Sequence, residues 1–286
     1  MKMDGRRESQ NVDDRRGMKT STKAGMGIGG LLIAGLIALF MGGDPGQLLQ
    51  QMASNTATTT EETNYVPTAE EEALATIAKQ ILAGTEDVWT AEFKKMGRTY
   101  KPPKLVLFKD AVQSGCGGAT SASGPFYCSA DQCVYLDLSF FSEMYRQLGA
   151  DGDFAYAYVI AHEVGHHVQY LLGTLDAAHQ KMRQVSEKES NQISVRLELQ
   201  ADFYAGIWAY HDNKMFGSLE DGDIEEGLNV ASKIGDDYLQ KKARGYSVSD
   251  SFNHGRSDQR VKWLKKGLTT GDVRAGDTFT PSYNSL

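Results

Sequence analysis

Two histidines and a glutamate form the pattern in this sequence that most clearly indicates chemistry. They lie in the segment His162-Glu163-Val164-Gly165-His166. Residues four positions apart share one face of an α-helix, so both imidazoles can contact one metal ion while Glu163 lies beside it. Imidazole is a common zinc ligand, and a neighbouring carboxylate can accept a proton from water. The spacing predicts a catalytic zinc site; the alternative is two partly buried histidines on an amphipathic helix.

A catalytic zinc site needs a third protein ligand. In one extended form of this pattern, Gly and His would stand at positions 169 and 172, but this chain has Gln169 and Leu172 there. The other arrangement takes a glutamate from a second helix, where Glu198 and Asp202 share one face. We predict that Glu198 is the third ligand of one Zn²⁺ per chain, and that Asp202 accepts the N–H of a ligand histidine, His162 being the candidate. The alternative for this pair is two solvated acids, although small residues around them favour a buried face.

The elements that must position these side chains follow from hydrophobic spacing and capping signals. A long apolar helix is predicted over 154–172, and a capping box at Ser186 and Glu189 opens a second helix that runs to about residue 211. Two strands precede them, at 105–108 and 133–138, after two helices that Gly84 separates. Two further helices are predicted at 223–244 and 257–266. The sequence therefore predicts one α+β, mainly helical domain over 65–286.

The N-terminal part of the chain has a different composition. Residues 1–23 carry seven Lys or Arg and four acids, and 24–41 are eighteen residues without a charge. In a helix these eighteen residues span about 27 Å, close to the thickness of a bilayer core. We predict a basic cytoplasmic tail at 1–23, a single transmembrane helix at 24–41 and a flexible tether at 42–64. A cleaved signal peptide is the alternative.

This organisation places the predicted catalytic domain outside the cytoplasm, with the membrane as one partner. Gly25 and Gly29 have the spacing that lets two membrane helices approach closely, which allows a weak homodimer through the span. The whole chain has a formal net charge of −7 and a pI near 5.4, which disfavours nucleic acid as a partner.

Several segments together resemble the neutral zinc metallopeptidase family of membrane-anchored bacterial proteins. They are HEVGHHVQ (162–169), ELQADFYAG (198–206), GPFYC (124–128), YLDLSFF (135–141), HGRSDQR (254–260) and, near the N-terminus, RRESQNVDDRRG (6–17). The resemblance implies a zincin-like metallopeptidase domain with His162, His166 and Glu198 as ligands and Glu163 as catalytic base. It also implies a Cys116–Cys128 disulfide, which leaves Cys133 without a role.

Other residues keep two interpretations. His254 could reach the metal pocket and stabilise the oxyanion, or it is an ordinary loop histidine. The strand at 135–138 lines the cleft and pairs with extended substrate, or it is a core strand. His167 points about 100° away from the ligand face and is expected to have a packing or supporting role. His179 and His211 have no supporting pattern and are expected at the surface.

We therefore expect a membrane-anchored zinc metallopeptidase, most simply a metalloendopeptidase, that hydrolyses peptide bonds in a protein or peptide with a metal-activated water. The alternative from another class is a non-proteolytic scaffold that keeps the zinc fold to bind a cell-envelope partner. Glu163 argues against the scaffold, because a purely structural site has no use for a general base. The sequence leaves open whether the amide substrate is a protein or a peptidoglycan peptide.

Overall fold

The computed structural model describes residues 1–21, 59–62, 64–149 and 152–286. The predicted transmembrane helix at 24–41 and most of the predicted tether at 42–64 lie outside these residues. Among the helices in the described ranges, none combines the length and the apolar character needed to cross a membrane.

The fold is mainly helical with small sheets, as the sequence predicts. Within the described residues there are eight α-helices. They are α1 (Ala69–Lys95), α2 (Ser139–Leu148), α3 (Asp153–Leu172), α4 (Thr174–Met182), α5 (Glu187–Phe216), α6 (Asp223–Lys233), α7 (Asp236–Arg244) and α8 (Ser257–Thr270). The predicted helix at 223–244 is therefore two helices.

The main sheet has four strands in the order β1-β4-β8-β7. Both β1 and β8 run parallel to β4, whereas β7 is antiparallel to β8 and forms one edge. Two antiparallel pairs stand apart from it, β2 with β3 and β5 with β6. The strands are β1 (Val12–Asp14), β2 (Met18–Ser21), β3 (Thr59–Glu62), β4 (Lys104–Phe108), β5 (Ala111–Ser114), β6 (Gly117–Thr120), β7 (Phe126–Cys128) and β8 (Cys133–Asp137).

Local signals explain where the long helices begin. Thr68 caps α1 and Ser186 caps α5, and each forms a capping box with the glutamate three residues later, as predicted for Ser186. The prediction that Gly84 ends a helix is wrong, because α1 continues through it to Lys95. A Cβ at Gly84 would lie 2.6 Å from an Asp212 carboxylate oxygen. The absence of a side chain at Gly84 therefore lets the Asp212 side chain approach α1 closely, and it does not end the helix.

Helix α3 lies at the centre of the domain and packs against α1, α5 and α6. Its apolar residues belong to one large core that also includes residues of β4 and β8. Helix α5 lies between α3 and α8 and contacts both along its length. The two helices that carry the HExxH segment and Glu198 are therefore held side by side by the core.

The N-terminal segment, for which the sequence predicts a basic cytoplasmic tail, packs on the domain in the structure. Strand β1 extends the main sheet next to β4. Arg6 donates two hydrogen bonds to the buried Asp212 carboxylate, at 2.6 and 2.8 Å. Arg7 contacts Glu86 at 2.9 Å, and Arg16 contacts Glu72 at 2.7 Å. The basic residues of this segment thus neutralise acids of the domain, and the domain includes residues 1–18 as well as those after 64.

The cysteines follow the expectation from the family resemblance. Cys116 and Cys128 form a disulfide with a Cα–Cα distance of 5.8 Å, and Cys133 is free and buried. Burial raises the pKa of the Cys133 thiol to about 11, which makes this thiol a poor nucleophile.

Candidate metal centre

Helices α3 and α5 bring the three predicted ligands together. The two helices approach closely at Gly165, where an added Cβ would lie 2.9 Å from the carbonyl oxygen of Ala201. Gly165 lies within the HExxH segment, and Ala201 lies between Glu198 and Asp202. The small residues in both helices therefore allow the backbones to approach closely enough for their side chains to share one site.

The geometry of this cluster fits a tetrahedral zinc ion. The Nε2 atom of His162 is 3.2 Å from Glu198 Oε2, and the Nε2 atom of His166 is 3.4 Å from Glu198 Oε1. One ligand atom from each of the three residues lies within 4.8 Å of the others. With Zn–N and Zn–O distances near 2.0–2.2 Å, tetrahedral ligand atoms lie about 3.4 Å apart. The donor set and its spacing thus fit zinc, and three protein ligands leave one coordination position for water or substrate.

The other nitrogen of His162 contacts Asp202, as the sequence predicts. Its Nδ1 atom is 2.8 Å from Asp202 Oδ1. Asp202 is fully buried and also accepts hydrogen bonds from the Tyr158 hydroxyl at 2.6 Å and from Arg260. A carboxylate at this position requires the proton of His162 to be on Nδ1, which leaves the Nε2 lone pair directed at the metal position.

His166 is held by an amide instead. Its Nδ1 atom is 2.9 Å from Gln169 Oε1. The amide nitrogen of Gln169 donates to the Leu197 carbonyl at 2.7 Å and to Gln200 at 3.2 Å, which fixes the orientation of the amide. Gln169 therefore links His166 to the backbone of α5 one residue before Glu198.

Glu163 lies on α3 beside the ligand cluster and is partly exposed. Burial raises the pKa of its carboxyl group, against the opposing effect of the two ligand histidines. Among the described residues, no side chain forms a hydrogen bond or salt bridge with its carboxylate. The group is therefore free to contact a water molecule at the open position.

The electrostatics of the cluster favour a cation. Burial opposes charge on Glu198, but the nearby His166 and His162 hold its pKa well below the usual range. For Asp202, Arg260 and His162 outweigh burial in the same way and lower the pKa. Two ionised carboxylates, the buried Asp202 and the partly buried Glu198, therefore face the imidazoles. Their negative charge is complementary to a divalent metal ion.

His254 lies close to this cluster. Its backbone N–H donates to Asp236 Oδ2 at 2.8 Å, and its Nδ1 atom is 3.3 Å from Asp236 Oδ1. Burial lowers the pKa of His254, but the hydrogen bond and charge of Asp236 outweigh burial and raise it. His254 is also near enough to contribute to the lowered pKa of Glu198. His254 therefore interacts electrostatically with Glu198, and the buried Asp236 orients its ring.

Other sequence expectations have different outcomes. The interpretation of 135–138 as the strand that pairs with substrate is wrong, because β8 lies inside the sheet between β4 and β7. The edge strand beside α3 is β7. His167 is buried, with 2.9 Å between Nδ1 and the Tyr127 hydroxyl and 2.7 Å between Nε2 and the Lys101 carbonyl oxygen. His211 is also buried rather than exposed, and it contacts Glu92 at 3.3 Å.

Three residues that support the site were not singled out from the sequence. They are Asp236, Gln169 and Arg260. Arg260 lies in the HGRSDQR segment that carries the family resemblance, so that segment could have indicated it. Gln169 lies on the ligand face three residues after His166, which a helical projection shows. No local pattern marks Asp236, because its pairing with His254 spans 18 residues.

Comparisons with known proteins agree with this geometry. A family described as "Putative neutral zinc metallopeptidase" matches residues 1–279. The chain belongs to this family. It is 47% identical over 291 residues to the uncharacterized protein YpfJ of Escherichia coli K12, covering 99% of this chain and 100% of the relative. It is 40% identical over 200 residues to the uncharacterized protein Rv2575 of Mycobacterium tuberculosis, covering 66% of this chain and 67% of the relative.

The family implies zinc and, as substrate class, peptides. The family match covers both the N-terminal segment and the ligand helices. Strand β1 and the cluster around Glu198 therefore both belong to the region that defines the family. No solved structure matches the chain.

Proposed function

We propose that this chain is a zinc-dependent metallopeptidase that hydrolyses peptide bonds in proteins or peptides. The observation that carries the proposal is the ligand cluster of His162, His166 and Glu198. Glu163 lies beside it, partly exposed, and no described side chain pairs with its carboxylate. A structural zinc site is closed by four protein ligands, whereas catalytic sites have three and keep one position open. The cluster has three, and it has a carboxylate where a general base is needed.

Bound zinc would supply a Lewis acid that polarises both a water molecule and the scissile carbonyl. Glu163 accepts the proton of the attacking water and later delivers it to the leaving amine. The raised pKa of Glu163 suits a group that must both take and release this proton. His254, oriented by Asp236, donates a hydrogen bond to the oxygen that becomes negative in the transition state.

Strand β7 provides a place for the substrate backbone. It is the sheet edge beside α3, and only one of its sides is paired in the described part of the sheet. An extended peptide can add to such an edge through main-chain hydrogen bonds. An edge that binds the substrate backbone rather than a chain terminus favours a metalloendopeptidase. An endopeptidase cleaves peptides that are blocked at both termini, whereas an exopeptidase does not.

The test separates chemistry from metal binding. Full-length Glu163→Gln keeps the size and polarity of the side chain but cannot accept the proton. We expect normal zinc content and a turnover at least ~100-fold lower than that of the wild type on a peptide library. Glu198→Ala is expected to lose both zinc and activity. Glu187→Gln, which changes an exposed glutamate at the start of α5, is the matched control and retains both.

Two outcomes oppose the proposal. Near-normal turnover of Glu163→Gln rules out the assigned base. Wild-type protein that binds zinc but cleaves no peptide in the library favours the non-proteolytic scaffold.

A further inference from the structure

We propose that Arg260 is a positioning residue for the metal site, acting on His162 through Asp202. This inference rests on the proposed zinc site. Arg260 lies on α8, which contributes no predicted ligand, and it is 3% exposed. Its Nε atom donates to Asp202 Oδ2 and its Nη2 atom to Asp202 Oδ1, both at 2.9 Å. These two parallel bonds define the plane of the carboxylate.

The plane of this carboxylate matters because Asp202 has several partners. The Oδ1 atom accepts from His162, Tyr158 and Arg260 at once, and Oδ2 faces Arg260. If the carboxylate rotated, the contact to His162 Nδ1 would be lost. The arginine fork therefore holds Oδ1 toward His162 together with the Tyr158 hydroxyl, and it is the contact that also holds Oδ2. The ring of His162 in turn keeps Nε2 directed at the metal position.

Helix α8 is placed rigidly enough for this role. At Gly206 on α5, an added Cβ would lie 2.3 Å from the Leu264 carbonyl oxygen, and at Gly267 one would lie 2.2 Å from the Phe203 carbonyl oxygen. The backbones of α5 and α8 are thus in direct contact one to two turns from Arg260. This contact fixes the distance between the guanidinium and Asp202.

The test uses the planar fork of arginine, which lysine lacks. Arg260→Lys retains the positive charge beside Asp202 but cannot make two parallel bonds. We expect it to bind zinc 10- to 100-fold more weakly than the wild type, measured by competition with a chromophoric chelator. The visible spectrum of the cobalt-substituted protein should change as well. Arg274→Lys, on an exposed arginine that pairs with Asp272, is the matched control and leaves both readouts unchanged.

A double-mutant cycle tests the route through Asp202. If Arg260 acts only through this residue, Arg260→Gln adds little to the loss of zinc affinity in Asp202→Asn. Wild-type zinc affinity in Arg260→Lys overturns the inference, because charge alone would then suffice. Additive losses in the cycle overturn it too. Failure of the wild type itself to bind zinc contradicts the proposed function instead, so the two failures are distinguishable.

A second inference concerns the membrane topology, and it rests on the N-terminal segment. We propose that residues 1–21 and 64–286 lie on the same side of any membrane. Strand β1 pairs with β4 over Val12–Asp14, and Arg6 pairs with Asp212 in the interior. A segment on the far side of a bilayer could form neither contact.

The ends of the connecting segment support the same conclusion. Strands β2 and β3 are antiparallel, and Ser21 is directly paired with Thr59. Paired Cα atoms in such a ladder are about 5 Å apart, whereas a bilayer core is about 30 Å thick. A segment that crosses a bilayer once would separate its two ends by at least that thickness. Ser21 and Thr59 therefore lie on the same side of any membrane.

Cysteine labelling tests the topology in bacterial cells that express the full chain. Gln10→Cys and Lys265→Cys each add one thiol at an exposed position, and both are first shown to react in the purified protein. With a membrane-impermeant maleimide, we expect both thiols to react in intact spheroplasts, or both only after lysis. Reaction of one thiol in intact spheroplasts and of the other only after lysis overturns the inference.

Discussion

Replacing Gly165 by alanine tests whether the close approach of α3 and α5 sets the geometry of the metal site. The added Cβ would meet the Ala201 carbonyl oxygen at 2.9 Å and Ala201 Cα at 3.1 Å. Ordinary contact begins near 3.4 Å, so the helices must separate locally by about 0.5 Å. The movement acts between the residues that carry His162 and His166 on one helix and Glu198 on the other.

Two terms decide the size of the effect. Overpacking costs about 1–3 kcal/mol, and replacing a helical glycine by alanine returns about 1 kcal/mol through helix propensity. The unfolding free energy of the metal-free protein should therefore fall by only about 0–2 kcal/mol. The ligand atoms now 3.2 and 3.4 Å apart would move away from the tetrahedral separation of about 3.4 Å. We expect zinc affinity to fall by at least ~10-fold, which corresponds to about 1.4 kcal/mol.

The assay combines chelator competition for zinc affinity with thermal unfolding of the metal-free protein. Gly118→Ala is the control, since its Cβ would meet only the end of the Gln113 side chain at 3.5 Å. A folded Gly165→Ala protein whose zinc affinity is within twofold of the wild type would refute the reasoning, because helix spacing would then not control the site.

Three further predictions concern the stability of the fold. Cys116→Ser opens a loop with a sequence separation of 12 and should cost ~3 kcal/mol, lowering Tm by roughly 6–12 °C in non-reducing buffer; an unchanged Tm would contradict this. Removal of zinc with a chelator should lower the unfolding free energy by about 2.7 kcal/mol relative to protein at a zinc concentration 100 times Kd, and should therefore lower Tm reversibly. A Tm that does not change when the chelator is added would contradict a bound metal. Arg6→Met leaves the Asp212 carboxylate buried without its arginine partner and should lower the unfolding free energy, measured with denaturant, by about 3–5 kcal/mol. The additional change Asp212→Leu should restore most of this loss. A loss below about 1 kcal/mol would mean that the N-terminal segment does not pack on the domain as described.

The parts of the fold that the sequence predicts well are those with local signals. Helix α3 begins within one residue of the predicted start and ends at the predicted residue, because its apolar run and the following glycine lie next to each other in the chain. The capping boxes at Thr68 and Ser186 are equally local. The HExxH pattern lies within one and a half helical turns, so its geometry follows from the helix itself.

The errors arise where a residue's role depends on a distant partner. Gly84 follows the rule for a helix end, but its role is to admit the Asp212 carboxylate and the Arg6 guanidinium next to α1. The sequence places Arg6 and Arg7 in a predicted basic tail, and it cannot show that they pair with carboxylates 206 and 79 residues away. Charge counted along a segment cannot show whether those charges are solvated or paired within the fold.

The candidate site combines both kinds of information, which explains why the ligands are easier to predict than the groups that orient them. Zinc restricts its ligands to a few residue types, so a helical pair of histidines and a later glutamate are conspicuous in a sequence. The orienting groups only need to accept or donate a hydrogen bond, and here a carboxylate serves His162 while an amide serves His166. Asp202 was predictable because it shares a helix face with Glu198, whereas Arg260 reaches the same carboxylate from 58 residues away. The precision of the site therefore depends on the packing of α3, α5 and α8, and the substitution Gly165→Ala should affect zinc affinity more than it affects the fold.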